Sequence, residues 1–233
     1  MADHTLYLVP NFIGEFSKDY LPKRTIEHVY SIRHFIVERE RTARAFLKAI
    51  DHPISQNEFQ FVELNKHDDY TGFKSFFDAH IHDFPIGVLS EAGLPAIADP
   101  GNEIVKYAHQ KNINVIPLSG SSSIFLALMA SGFNGQNFQF NGYLPIEARE
   151  RMIALKEMEN RSRKVTQIFM EAPYRNNQFL DFLIKNLQHT TKLCVAVDIE
   201  KKGKEIIRSK PIKNWKPNEI ELHKKPCIYL ISG

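Results

Sequence analysis

Apolar positions in the first 120 residues alternate between two spacings. Short β-type runs at Thr5–Val9, 35–38, 59–64, 86–90 and 114–118 predict strands. Between them lie stretches of helical period. In 41–50, Ala45, Phe46, Ala49 and Ile50 share a face. In 71–81, Phe73, Phe76, Phe77 and Ile81 do the same, and 102–110 repeats the spacing. Strand-helix alternation of this kind builds a mainly parallel sheet, because each right-handed crossover returns the chain in the same direction. Helices then cover both faces.

After Gly120 the pattern changes. Ser121, Ser122 and Ser123 supply hydroxyls that can cap an apolar helix reaching about Ser131, where Gly132 stops it. Runs at Phe138–Tyr143, 165–170, 193–198, 205–208 and 227–231 predict strands, with helices at 147–159 and 176–187. The last three strands follow one another without a helix, so antiparallel pairing is expected there. The expectation is an α/β chain of two α/β domains, residues 1–117 with the mainly parallel sheet and 118–233 with a mixed one.

Composition narrows the class. The chain has 233 residues, 43% hydrophobic and 24% charged, which describes an ordinary globular protein. The most apolar run, 124–130, is far shorter than the roughly 20 residues that cross a bilayer. Residues 1–10 show no basic stretch followed by an apolar core, so a cytoplasmic protein is expected. Cys194 and Cys227 fall inside apolar strands, as buried, inert thiols do, and no CxxC pair is present. His80 and His82, near Asp78 and Asp83, lie two apart toward a helix end and face different ways, so no metal site is expected.

The net charge of +3 is unevenly spread. From Arg149 onward there are 18 Lys or Arg against 10 Asp or Glu, whereas residues 1–148 are acidic overall. The densest basic stretch holds Lys201, Lys202, Lys204, Arg208, Lys210, Lys213 and Lys216. Such a flank suits an anionic polymer such as RNA. A lysine-rich loop beside an edge strand protected against pairing would read the same way.

Two segments carry candidate chemistry. Ser90-Glu-Ala-Gly-Leu-Pro-Ala-Ile-Ala-Asp-Pro-Gly101 follows an apolar strand and precedes a helix. Its twelve residues exceed the usual two to six of a βα connection, and strand carboxyl ends form the ligand crevice of open α/β sheets. Pro117-Leu-Ser-Gly-Ser-Ser-Ser123 also leaves a strand and opens a helix, so its amides could hold a polar ligand or only be capped. GxGxxG, Walker A, GxSxG and HExxH sequences are absent.

The order of these pieces resembles the tetrapyrrole methylase superfamily of S-adenosylmethionine-dependent methyltransferases. Within it the chain resembles the branch that methylates a cytidine ribose 2′-hydroxyl of small-subunit (16S) ribosomal RNA. The resemblance runs from Leu6-Tyr-Leu-Val-Pro-Asn-Phe-Ile-Gly14 through the Ser90 to Gly101 segment. It continues in Met170-Glu-Ala-Pro-Tyr-Arg175 and Val195-Ala-Val-Asp-Ile-Glu-Lys201. Glu38, Arg41 and Arg44 fall where the branch has Glu-Asp-Thr-Arg, and Leu64 and His67 match its next strand end. Arg39 and Glu40 replace the usual Asp and Thr, Leu94 a Thr, and Asp198 a Glu. The chain also ends soon after the last expected strand, without the small C-terminal extension common in the branch.

The resemblance implies a ligand cleft between the two domains and a homodimer. It implies S-adenosylmethionine as cofactor, held by Pro10, Ala92, Gly93, Leu94 and Ile97 and by Ser122, Ser123, Met170 and Ala196. Glu38 and His67 become candidate bases for the ribose proton, with Arg41 beside them. Arg41, Arg44, Arg175 and Lys201 are the candidate contacts to RNA phosphate. Two other readings stay open: methylation of a corrin or porphyrin, and a catalytically silent RNA-binding relative.

Overall fold

The structure is a computed structural model that describes residues 4–64 and 71–233. The chain divides into two compact units, the first running to Ser122 and the second from Ser123 to Gly233.

The first unit contains β1 (Thr5–Val9), α1 (Lys23–Val29), β2 (His34–Val37), α2 (Glu40–Ala49), β3 (Gln60–Glu63), α3 (Phe73–His80), β4 (Ile86–Leu89), α4 (Gly101–Gln110) and β5 (Asn114–Pro117). Its sheet has the order β3-β2-β4-β1-β5, and every pairing is parallel. Alternate side chains enter two cores. Tyr7, Val9, Phe35 and Val37 pack with Phe46 and Leu47 of α2, while Leu6, Ile36, Ile86 and Val88 pack with Phe73, Phe77, Ile104 and Ala108 of α3 and α4. That two-sided burial is why the strands read as continuous apolar runs.

Two details depart from the sequence reading. Helix α1 was not predicted, because only Thr25 and Val29 of its seven residues are buried and no apolar stripe marks it. On α2 the buried positions are Ala43, Phe46 and Leu47, followed by Ile50, whereas Ala45 is exposed.

The second unit contains α5 (Ser123–Ser131), β6 (Phe138–Tyr143), α6 (Ala148–Arg161), β7 (Thr166–Met170), α7 (Asn176–Asn186), β8 (Lys192–Val197), β9 (Ile206–Pro211) and β10 (Cys227–Ser232). The sheet order is β6-β7-β10-β8-β9, with β6 parallel to β7 and the other neighbours antiparallel. The last strand therefore inserts between β7 and β8. Phe169, Val195, Val197, Tyr229 and Ile231 face Leu155, Met158, Phe179 and Leu183 of α6 and α7. Helix α5 packs against β8, β9 and β10. Cys194 and Cys227 are buried, and burial pushes both thiols up to about 12.

Candidate functional site

Strand order locates the site in the first unit. From β1 the chain crosses toward β2 on one side, and from β4 it crosses toward β5 on the other. β1 and β4 are neighbours, so their carboxyl ends flank a topological switch point, where open α/β sheets bind ligands. Both connections begin with an irregular turn rather than a helix.

These two turns are joined. Asn11 and Gly93 form an isolated antiparallel bridge, with Asn11 N donating to Gly93 O at 2.8 Å and Gly93 N returning to Asn11 O at 3.2 Å. Asn11 is fully buried. Its Nδ2 donates to the carbonyls of Ser90 (2.8 Å) and Glu91 (3.1 Å), while its Oδ1 accepts from Phe12 N at 2.8 Å.

Beyond the bridge, the turn uses left-handed backbone three times, at Gly93 (φ 72°), Ala96 (66°) and Ala98 (64°). Non-glycine residues enter that region at a cost of roughly 1 kcal/mol each, so the surroundings hold the shape. Asp99 is the internal fastener. Its Oδ1 accepts from Ala96 N (2.9 Å) and Gly101 N (2.7 Å). Burial raises the Asp99 carboxyl above its ordinary value, and its Oδ2 has no hydrogen-bond partner among the described residues. At Gly101 a Cβ would meet Asp99 Oδ1 at 2.8 Å and Ala96 N at 2.9 Å, which explains glycine at the first position of α4.

The cradle is lined by small groups. A Cβ on Gly93 would have Ile13 Cγ2 at 3.3 Å and Ser121 O at 4.0 Å as its neighbours. Ala92 and Ile97 are exposed, Leu94 is half-buried, and Pro10 and Ser122 are buried. Pro10 closes the floor: a Cβ on Gly120 would fall 2.2 Å from the Pro10 Cβ, so the β1 and β5 ends touch only because residue 120 has no side chain. Pro10 and Gly93 thus lie at the joined ends of β1, β4 and β5, beside the 120–122 segment.

Glu38 follows β2, and its Oε1 accepts from Glu91 N at 2.9 Å. Glu91 in turn accepts from Thr42 Oγ1 at 2.7 Å and pairs with Arg39 at 3.7 Å. Arg41 is exposed, with no hydrogen bond or ion pair among the described residues. Arg44 is committed elsewhere: it pairs with Glu40 at 2.7 Å, donates to Gln56 O and stacks its guanidinium over Phe61. His67 lies outside the described residues.

In the second unit two of the resembling motifs share one construction. Glu171 follows β7, is buried, and accepts from Arg175 at 2.6 Å, which holds the Arg175 guanidinium above its ordinary range. Asp198 follows β8, is buried, and accepts from Lys201 at 2.6 Å. Arg175 and Lys201 each pair with the carboxylate at the end of the preceding strand. Met170 is half-buried at the end of β7, Ser123 opens α5, and Ala196 is 1% exposed within the sheet. Asn11, Thr42 and Glu91 were not singled out from sequence. An asparagine two residues past the end of a strand was the visible sign for Asn11.

No family model matches the chain. Ribosomal RNA small subunit methyltransferase I of Halalkalibacterium halodurans is 34% identical over 180 residues, covering 77% of this chain and 59% of that protein. The protein of the same name from Vibrio cholerae is 28% identical over 231 residues, covering 98% of this chain and 77% of its own length. The chain is a relative of the ribosomal RNA small subunit methyltransferase I proteins. A member from Streptococcus pyogenes is 32% identical over 73% of this chain. The chain spans 59% and 56% of the Halalkalibacterium and Streptococcus proteins. A cobalamin biosynthesis precorrin-6Y methylase from Archaeoglobus fulgidus superposes with a TM-score of 0.61 over 99% of this chain and 98% of that one. At 13% identity the likeness is one of fold alone.

Proposed function

We propose that this protein is an S-adenosylmethionine-dependent methyltransferase that methylates a ribose 2′-hydroxyl in small-subunit ribosomal RNA. The same reading makes it a cytoplasmic homodimer. No helix among the described residues is long and apolar enough to cross a membrane. The observation that carries the proposal is the Asn11–Gly93 bridge at the switch point, followed by a turn of three left-handed small residues. A cradle that a Cβ at position 93 would fill suits close backbone approach to a compact polar ligand.

When bound, S-adenosylmethionine supplies an already activated methyl group, so the protein's tasks are alignment and exclusion of water. Gly93 and Ala92 would hold it by backbone, Leu94 and Ile97 by apolar contact, and Pro10 and Ser122 from the cradle floor. Ser123 and Met170 keep the cofactor roles that the resemblance gives them. Ala196 is too buried to offer more than packing. His67 stays the proposed proton acceptor, and Arg41, exposed and without an ion pair among the described residues, is the proposed phosphate contact.

Calorimetry with S-adenosylmethionine and its demethylated product tests the cofactor, and micromolar binding is expected. Transfer of labelled methyl to isolated small subunits, naked ribosomal RNA or a precorrin then selects the substrate. Transfer to small subunits or RNA is the expected result, and transfer to the precorrin alone overturns it. A chain that binds RNA but neither form of the cofactor is a silent relative.

A further inference from the structure

The carboxylate expected to act as a base and an asparagine without a sequence-based role grip one peptide unit from opposite sides. The Ser90–Glu91 peptide offers its carbonyl to Asn11 Nδ2 at 2.8 Å and its N–H to Glu38 Oε1 at 2.9 Å. Asn11 Nδ2 spends its second proton on the Glu91 carbonyl at 3.1 Å, and Asn11 Oδ1 takes the Phe12 amide. The side-chain amide of Asn11 therefore has one workable orientation, because reversing it would set its NH2 against the Phe12 N–H. Two residues further on, the Asn11 backbone pairs with Gly93 in both directions. Residues 90–93 are thus fixed to the ends of β1 and β2, and Gly93 opens the left-handed turn.

We infer that Asn11 and Glu38 are positioning residues that set the height and tilt of the 92–97 turn for the cofactor. The inference rests on the proposed cofactor reading, but the clamp itself belongs to the chain. Glu38 needs only to accept a hydrogen bond for this task. One oxygen of the Glu38 carboxylate is already committed to the half-buried Glu91 amide, which ties the side chain to the 90–91 peptide. Aspartate at position 11 keeps the volume and the acceptor for Phe12, yet loses both donors and turns an anionic oxygen toward two carbonyls.

Two measurements on the full chain test this. Amide hydrogen exchange without ligand is expected to quicken at Glu91 and Gly93 by about tenfold or more in Asn11→Asp and Glu38→Ala, while amides of β6–β10 stay as in the parent. Calorimetry with the demethylated cofactor product is expected to show a loss of about tenfold or more in both variants, the scale of one or two hydrogen bonds. Glu38→Gln keeps the acceptor and is expected to restore the affinity and most of the turnover that Glu38→Ala removes. Turnover abolished in Glu38→Gln with affinity intact would make Glu38 a base and overturn the inference. Unchanged exchange in Asn11→Asp and Glu38→Ala would overturn it too. If the parent protein binds neither form of the cofactor while exchange responds as described, the clamp stands and the cofactor reading falls.

Discussion

Lys210 donates to both carboxylate oxygens of Glu219 at 2.6 Å, and its ammonium lies 4.7 Å from the centre of the Trp215 ring. Arg208 reaches the same carboxylate at 2.7 Å. The basic stretch that read as a flank for RNA is thus partly neutralised by a residue further along the chain. These cations, the Lys210 ammonium first, hold the Glu219 carboxyl down at about 2. The folded value is depressed, so its stabilisation is present above the ordinary 4.5 and is lost as pH falls toward 2. Glu219→Gln is expected to cost about 1 kcal/mol at pH 7 and nothing measurable near pH 2, read from urea midpoints. Lys210→Glu, which from sequence alone reads as a change in RNA binding, is expected to lower stability as well, by placing two carboxylates together.

The glycines of the first-unit cradle make separable predictions. Gly120→Ala sets a methyl group 2.2 Å from the Pro10 Cβ and is expected to destabilise by about 3 kcal/mol, as overpacking does. Gly93→Val faces a left-handed backbone (φ 72°) and Ile13 at 3.3 Å. It is expected to cost about 2 kcal/mol and to remove cofactor binding. Thermal midpoints beside calorimetry distinguish the two. A Gly93→Val protein that binds the cofactor like the parent would contradict the placement of the site.

Arg175 separates a structural role from a substrate contact. Removing it by Arg175→Met leaves the Glu171 carboxylate buried without its cation, and a loss of about 3 kcal/mol is expected. Pairing it with Glu171→Gln is expected to recover most of that loss, because no uncompensated charge then remains. Denaturant titration of the parent, both single variants and the double variant gives the coupling directly. A phosphate contact alone would leave stability unchanged.

Two histidines set the response to mild acid. His34 is buried between His80 and Phe84, at ring-centroid distances of 4.5 and 4.7 Å, and His52 lies against Phe59. Burial lowers both below the ordinary 6.5. The unfolded chain therefore binds more protons in that window, so stability is full above about 6.5 and declines as pH falls through the lowered values. Urea midpoints at pH 7.5 and 5.5 are expected to differ in that direction. His34→Phe is expected to flatten the difference by removing one of the two titrating rings, and the His34 Nδ1 makes no hydrogen bond among the described residues that would be lost.

Periodicity alone determined the alternating strands and helices of the first unit and the unbroken strand succession of the second, because burial imposes periods of two or 3.6 on any chain. The Ser90 to Gly101 segment was legible for a similar reason, being too long for a plain connection. Helix α1 was not, since a helix resting lightly on the surface leaves no stripe. Partner choice lay beyond the sequence altogether. Whether Arg175 meets a phosphate or Glu171, and whether Glu38 abstracts a proton or holds an amide, depends on which groups the fold brings within 3 Å. The bond between Asn11 and Ser90 joins residues 79 positions apart. Only the insertion of β4 between β1 and β2 makes them neighbours, and strand order is a property of the whole sheet rather than of any stretch of residues.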